Sequence, residues 1–82
     1  MPQLRRNRET SRLNFEGRSL QISKTARGRL ERLRDETDAD SLSEVVRRSL
    51  AVYDALVKQV LEGGEVIVRD KEGNERPVLV IP

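Results

Sequence analysis

The sequence predicts a mainly α chain with short β segments: a strand–helix–helix unit that completes its fold by intertwining with a second copy, followed by a C-terminal β-hairpin. Three observations lead there. Ser19-Leu20-Gln21-Ile22 alternates polar and apolar residues, but an apolar face two residues wide is not stable unless it pairs with a twin and lies over helices. Two helical patterns follow, and the apolar stripe of the second outruns what the first can cover. Finally, the chain has 82 residues, and a monomer of that size buries only about 60% of the surface its unfolded chain exposes.

Residues 1–16 place Arg5, Arg6, Arg8 and Arg12 among Asn7, Thr10, Ser11 and Asn14. No sustained period is apparent, and the expectation is a flexible basic arm. The strand follows over 18–22, with Leu20 and Ile22 on one face and Ser19 and Gln21 on the other. Ser23 offers an N-cap, and Ala26, Leu30, Leu33 and Thr37 recur at helical spacing, which predicts a helix over 24–36. Gly28 inside it costs about 1 kcal/mol relative to Ala, which is tolerable if packing supports the helix or a backbone must approach closely there. Asp38-Ala39-Asp40 makes the turn.

Ser41 with Glu44 has the capping-box spacing, in which the hydroxyl serves the Glu44 amide and the carboxylate returns to the Ser41 amide. The second helix is expected over 42–62, with Leu42, Val45, Val46, Leu50, Tyr53, Leu56, Val57, Val60 and Leu61 on its stripe and Gly63-Gly64 as its stop. Residues 63–82 contain two β-rich runs, Glu65–Arg69 and Val78–Ile81, and predict a hairpin turning near Glu72-Gly73-Asn74 with Pro77 favouring an edge. The domain plan is therefore an arm over 1–16, a strand–helix–helix domain over 17–62 and a hairpin extension over 63–82.

Composition removes whole classes of chemistry. The chain has no cysteine and no histidine, hence no disulfide, thiol nucleophile, imidazole base or common transition-metal ligand, and its carboxylates do not cluster. No enzyme, cofactor or metal is expected. Phe15 and Tyr53 are the only aromatics, which argues against stacking of bases as a binding mode. No apolar run suits export or membrane spanning, and a reducing, cytoplasmic location is the default expectation.

The net charge of +2 hides a division: residues 1–34 carry ten Arg or Lys against three Glu, a net of +7, whereas residues 35–82 carry a net of −5. The front half is the one suited to a polyanion. A solvated charged face is the plain alternative.

An alternating strand, a helix of about a dozen residues, a turn and a capped helix opening Ser41-Leu42-Ser43-Glu44-Val45-Val46-Arg47-Arg48 resemble the ribbon-helix-helix family of bacterial and phage regulators, the MetJ, Arc and CopG group. The resemblance covers roughly residues 18–61. It implies an obligate homodimer whose two strands form an antiparallel ribbon in the major groove of double-stranded DNA, over a four-helix core. The outward strand residues Ser19 and Gln21 would then read bases, and Gln can pair bidentately with adenine. Where the family has a third long outward side chain this chain has Gly17, which leaves Arg18 as the nearest substitute.

Phosphates would be held at the start of the second helix by Ser41, Leu42 and Ser43, through free amides and hydroxyls. Lys24 and the arm residues Arg5, Arg6, Arg8 and Arg12 would add contacts to flanking phosphates. The dimer core implied by the resemblance comprises Leu20, Ile22, Leu30, Leu33, Val45, Val46, Leu50 and Tyr53. The expected function is a sequence-specific DNA-binding regulator, most simply a repressor. The alternative is an antitoxin whose C-terminal segment binds a toxin protein while the complex represses its own promoter. The hairpin's role is open between extending the dimer, joining dimers into tetramers on tandem half-sites, covering the helical stripe and binding a second protein.

Overall fold

The computed structural model describes residues 10–82. Its elements are β1 (Thr10–Phe15), β2 (Arg18–Ser23), α1 (Lys24–Thr37), α2 (Leu42–Leu61), β3 (Ile67–Arg69) and β4 (Glu75–Pro77). This is a small α+β fold of ββαα order with a second two-stranded sheet after it. The chain divides into two compact units, one ending at Arg48 and the other spanning Ser49–Pro82.

In the first unit β1 and β2 form an antiparallel hairpin in which Thr10 faces Ser23, Leu13 faces Leu20 and Phe15 faces Arg18. The loop is two residues long, and Glu16 and Gly17 both have positive φ, 52° and 78°. That is the pattern of a type I′ turn, whose twist suits the flanking strands. The basic arm expected over 1–16 is therefore corrected over its last third. Thr10-Ser11-Arg12-Leu13-Asn14-Phe15 itself alternates, so Ser11, Leu13 and Phe15 share the apolar face of Leu20 and Ile22. Nor does the 18–22 strand lack a mate in its own chain; it pairs along its whole length with β1.

Ser23 ends β2 and caps α1, its Oγ accepting from the Ala26 amide at 3.0 Å. At the other end Asp38 adopts the left-handed conformation, its amide donating to the Arg34 carbonyl. Ser41 caps α2 in the same way, accepting from the Glu44 amide at 3.1 Å. α1 contacts both strands of the hairpin. Among the described residues of this unit three apolar side chains are buried: Leu13 (5% exposed), Leu42 (9%) and Val45 (4%).

The second unit holds the rest of α2 and the C-terminal hairpin. α2 stops in a Schellman arrangement: the Gly63 amide donates to Val60 O at 3.0 Å and the Gly64 amide to Gln59 O at 2.8 Å, with Gly63 at φ 90°. β3 and β4 pair with Ile67 opposite Pro77 and Arg69 opposite Glu75. The second strand thus lies at 75–77 and not, as expected, in the aliphatic run 78–81, of which the Val78 amide adds one bond to Val66 O at 2.9 Å. The turn sets this register. Asp70 Oδ1 accepts from the Glu72 and Asn74 amides at 3.0 and 2.9 Å, and Gly73, at φ 89°, donates to Asp70 O. That closure brings residue 75 opposite residue 69.

Candidate nucleic-acid interface

Directly opposed residues of an antiparallel pair share a face. The register therefore gives the β1–β2 hairpin one wholly polar face, built by Thr10, Arg12 and Asn14 from β1 and Ser19, Gln21 and Ser23 from β2. Two side-chain bonds cross it: Arg12 Nη1 donates to Ser19 Oγ at 3.3 Å and Gln21 Nε2 donates to Thr10 Oγ1 at 3.0 Å. The opposite face carries Leu13, Phe15, Leu20 and Ile22.

Ser19 and Gln21 lie together on the polar face, exposed. Arg18 does not join them. It pairs with Phe15 and so has the parity of Leu20, on the other face at the turn end. Arg12, expected in a mobile arm, sits in mid-ribbon opposite Gln21. Sequence reasoning missed Asn14 and Thr10 as members of this face; the period-2 pattern of 10–15 was the available signal. Arg5, Arg6 and Arg8 lie outside the described residues.

The outer edge of β1 is held from the helices. Arg27 Nη1 donates to the Arg12 carbonyl at 2.6 Å, and Ser43 Oγ donates to the Asn14 carbonyl at 2.7 Å. The two helices thus grip two of the three β1 residues whose side chains project from the polar face. Arg27 also pairs with Glu31 at 3.4 Å, Arg32 with Glu36 at 2.9 Å and Arg34 with Asp35 at 3.1 Å; such exposed pairs contribute at most about 1 kcal/mol each. Arg12, Arg18, Lys24 and Arg29 have no ion pair among the described residues. This leaves uncompensated positive charge on the hairpin and α1.

The start of α2 differs in detail from the expected phosphate clamp. The Ser41 hydroxyl is occupied as a cap and the Ser43 hydroxyl is occupied on β1. Leu42 is buried. The Glu44 carboxylate lies beside Arg47 and Arg48, at 3.8 and 3.9 Å, and does not supply the second half of the capping box. Any anion held there would meet backbone amides and the helix dipole.

Of the residues expected in a dimer core, Val45 is buried and Ile22, Leu30, Leu33 and Val46 are half-buried. Leu20, Leu50 and Tyr53 are exposed. Leu13 and Leu42, not placed in that core by the sequence reading, supply two of the three buried side chains. Among the described residues no cluster of acidic side chains could hold a metal ion, and no helix is long and apolar enough to cross a membrane. Comparison with protein-family models, curated proteins and solved structures finds no match.

Proposed function

We propose that this chain is a sequence-specific DNA-binding homodimer of ribbon-helix-helix type that acts as a transcriptional regulator, most simply a repressor occupying its operator. One observation carries the reading: the N-terminal hairpin is a two-stranded ribbon with an entirely polar outer face, Arg12, Asn14, Ser19 and Gln21 at its centre. A ribbon of this kind fits a major groove about 12 Å wide, and Arg, Asn and Gln are the side chains that pair bidentately with guanine or adenine. The surrounding excess of Arg and Lys supplies the sequence-independent attraction to phosphate. The exposed Leu20, Leu50 and Tyr53 are apolar area that a second copy would cover.

The test is selection of bound fragments from genomic DNA with the purified chain, repeated across salt concentrations. Enrichment of short half-sites in a fixed arrangement, with affinity falling steeply as salt rises, is the expected result. A folded protein that enriches nothing would refute the reading.

A second reading, the antitoxin, draws on a separate feature. An apolar groove of about 320 Å³ lies in the second unit, lined by Val60, Val66, Val78, Val80 and Ile81 among others. A toxin segment seated there would be the partner. Neutralisation of a co-expressed neighbouring gene product, lost in Val66→Asp, would favour this reading over the plain regulator.

A further inference from the structure

This inference rests on the DNA-binding reading and departs from the ribbon-helix-helix plan, in which each protomer gives one strand to the ribbon. β2 is already paired with β1 of its own chain at all six of its residues, Arg18–Ser23. The outer edge of β1 is covered, because Arg27 and Ser43 occupy the Arg12 and Asn14 carbonyls. If the free edges of two β2 strands joined across a dimer, the result would be four strands. At about 4.8 Å per strand the outer strand axes would then stand about 14 Å apart before side chains are added. The major groove is about 12 Å wide. One hairpin enters it, and a four-stranded sheet does not.

We propose that each protomer carries a complete reading ribbon, its own β1–β2 hairpin, and that Arg12 and Asn14 of β1 read bases beside Gln21 within one half-site. The side chains are suited to it. Among the described residues the Arg12 side chain makes one bond, long and exposed, to Ser19, which water or a guanine edge replaces at little cost. Gln21 gives one amide proton to Thr10, which orients its amide and leaves a second proton and the carbonyl oxygen for an adenine edge. The bonds from Arg27 and Ser43 hold the backbone at Arg12 and Asn14, so both side chains project from a fixed base. Residues two apart on a strand are about 7 Å apart, close to two base-pair steps of about 3.4 Å. Arg12 and Asn14 should therefore address base pairs about two steps apart.

The experiment is fragment selection at one salt concentration with the full chain and with Arg12→Ala, Asn14→Ala and Gln21→Ala. Each variant should lose preference at a discrete base pair, by about 5- to 150-fold against the wrong base. The pairs relaxed by Arg12→Ala and Asn14→Ala should lie about two apart, in the half-site of the Gln21 pair. Uniform weakening with every base preference kept, or no change at all, overturns the inference while the DNA-binding reading stands. A native chain that enriches nothing removes that reading itself.

A second measurement bears on the ribbon alone. The chain has no cysteine, and Ser11 faces Ile22 across the hairpin, off the polar face. Opposed Cα atoms in an antiparallel pair are about 4.5–5.5 Å apart, within disulfide reach. Oxidised Ser11→Cys/Ile22→Cys protein should be linked within one chain and should select the same sequences as its reduced form. No link, a link between chains, or binding lost on oxidation and regained on reduction overturns the inference.

Discussion

Leu13→Ala separates a strand from an arm. Leu13 is 5% exposed and is, with Leu42 and Val45, one of three buried apolar side chains among the described residues. In a fully packed core the loss of a leucine side chain costs about 2.7–5.0 kcal/mol, the value rising with the cavity left behind. Here Phe15 and Ile22, beside it on the same face of the hairpin, are only half-buried, so the site can partly collapse and the lower end applies, about 2.5–3 kcal/mol. For a chain of this size that lowers the melting temperature by about 10–20 °C. Urea titration gives the free energy from midpoint and slope, at one protein concentration because association would otherwise enter the comparison. Arg12→Ala, whose side chain lies on the outer face, is the control and should change stability by no more than about 0.5 kcal/mol. A Leu13→Ala loss as small as that of the control would mean that residues 10–15 contribute no packing, and the hairpin argument would fail with it.

Three further substitutions test local arguments. Ser41→Ala removes the α2 cap and should cost about 1 kcal/mol, whereas Ser41→Gly costs a few tenths; equal losses in urea titration would show that the hydroxyl is not the cause. Gly64→Ala places a Cβ 2.9 Å from the Gln59 carbonyl oxygen, so the Schellman closure must open, and amide exchange at Gly63 and Gly64 should accelerate while that of α1 is unchanged. Asp70→Ala deprives the Glu72 and Asn74 amides of their acceptor and should unpair β3 from β4, read as lost protection of the Asp70 and Val78 amides, which donate to Asn74 O and Val66 O, with Asp70→Asn retaining most of it.

The helices were legible because their signals are local. Ser23, Ser41 and Gly63-Gly64 mark ends that the structure fixes with the expected backbone bonds. The parity of Ser19 and Gln21 was equally legible, since a period of two needs no tertiary information. What pairs with β2 was not. The alternation of 10–15 is diluted by Ser11, a polar residue on the apolar face, and bordered by arginines, and Glu16-Gly17 is a weaker hairpin signal than Asn-Gly or Asp-Gly. Over these residues charge is the stronger signal and period the weaker one. A related error displaced β4: the run Val78–Ile81 has the higher β propensity, but register follows the loop, and Asp70 closes it at residue 75. The Glu44 carboxylate was assigned by spacing alone, although Arg47 and Arg48 one turn on offer it opposite charges.

The exposed side of α2 carries the remaining argument. Leu50 is 56% and Tyr53 52% exposed, three residues apart and hence on one helical face. Covering the remaining half of two such side chains is worth about 0.8–1.5 kcal/mol each, about 3–6 kcal/mol over the two copies of a dimer, against the 5–15 kcal/mol, approximately, that a folded domain retains. The proposed homodimer would recover that area in both copies at once, so its unfolding must depend on concentration. The melting temperature should rise measurably over a hundredfold increase in protein concentration, and Leu50→Glu/Tyr53→Glu should abolish that rise. A carboxylate pair facing its twin cannot be buried unpaired. A rise kept in the double variant would place the dimer contact elsewhere, whereas a melting temperature independent of concentration in the native chain would remove the dimer, leaving the hairpin ribbon of a single protomer to bind its half-site alone.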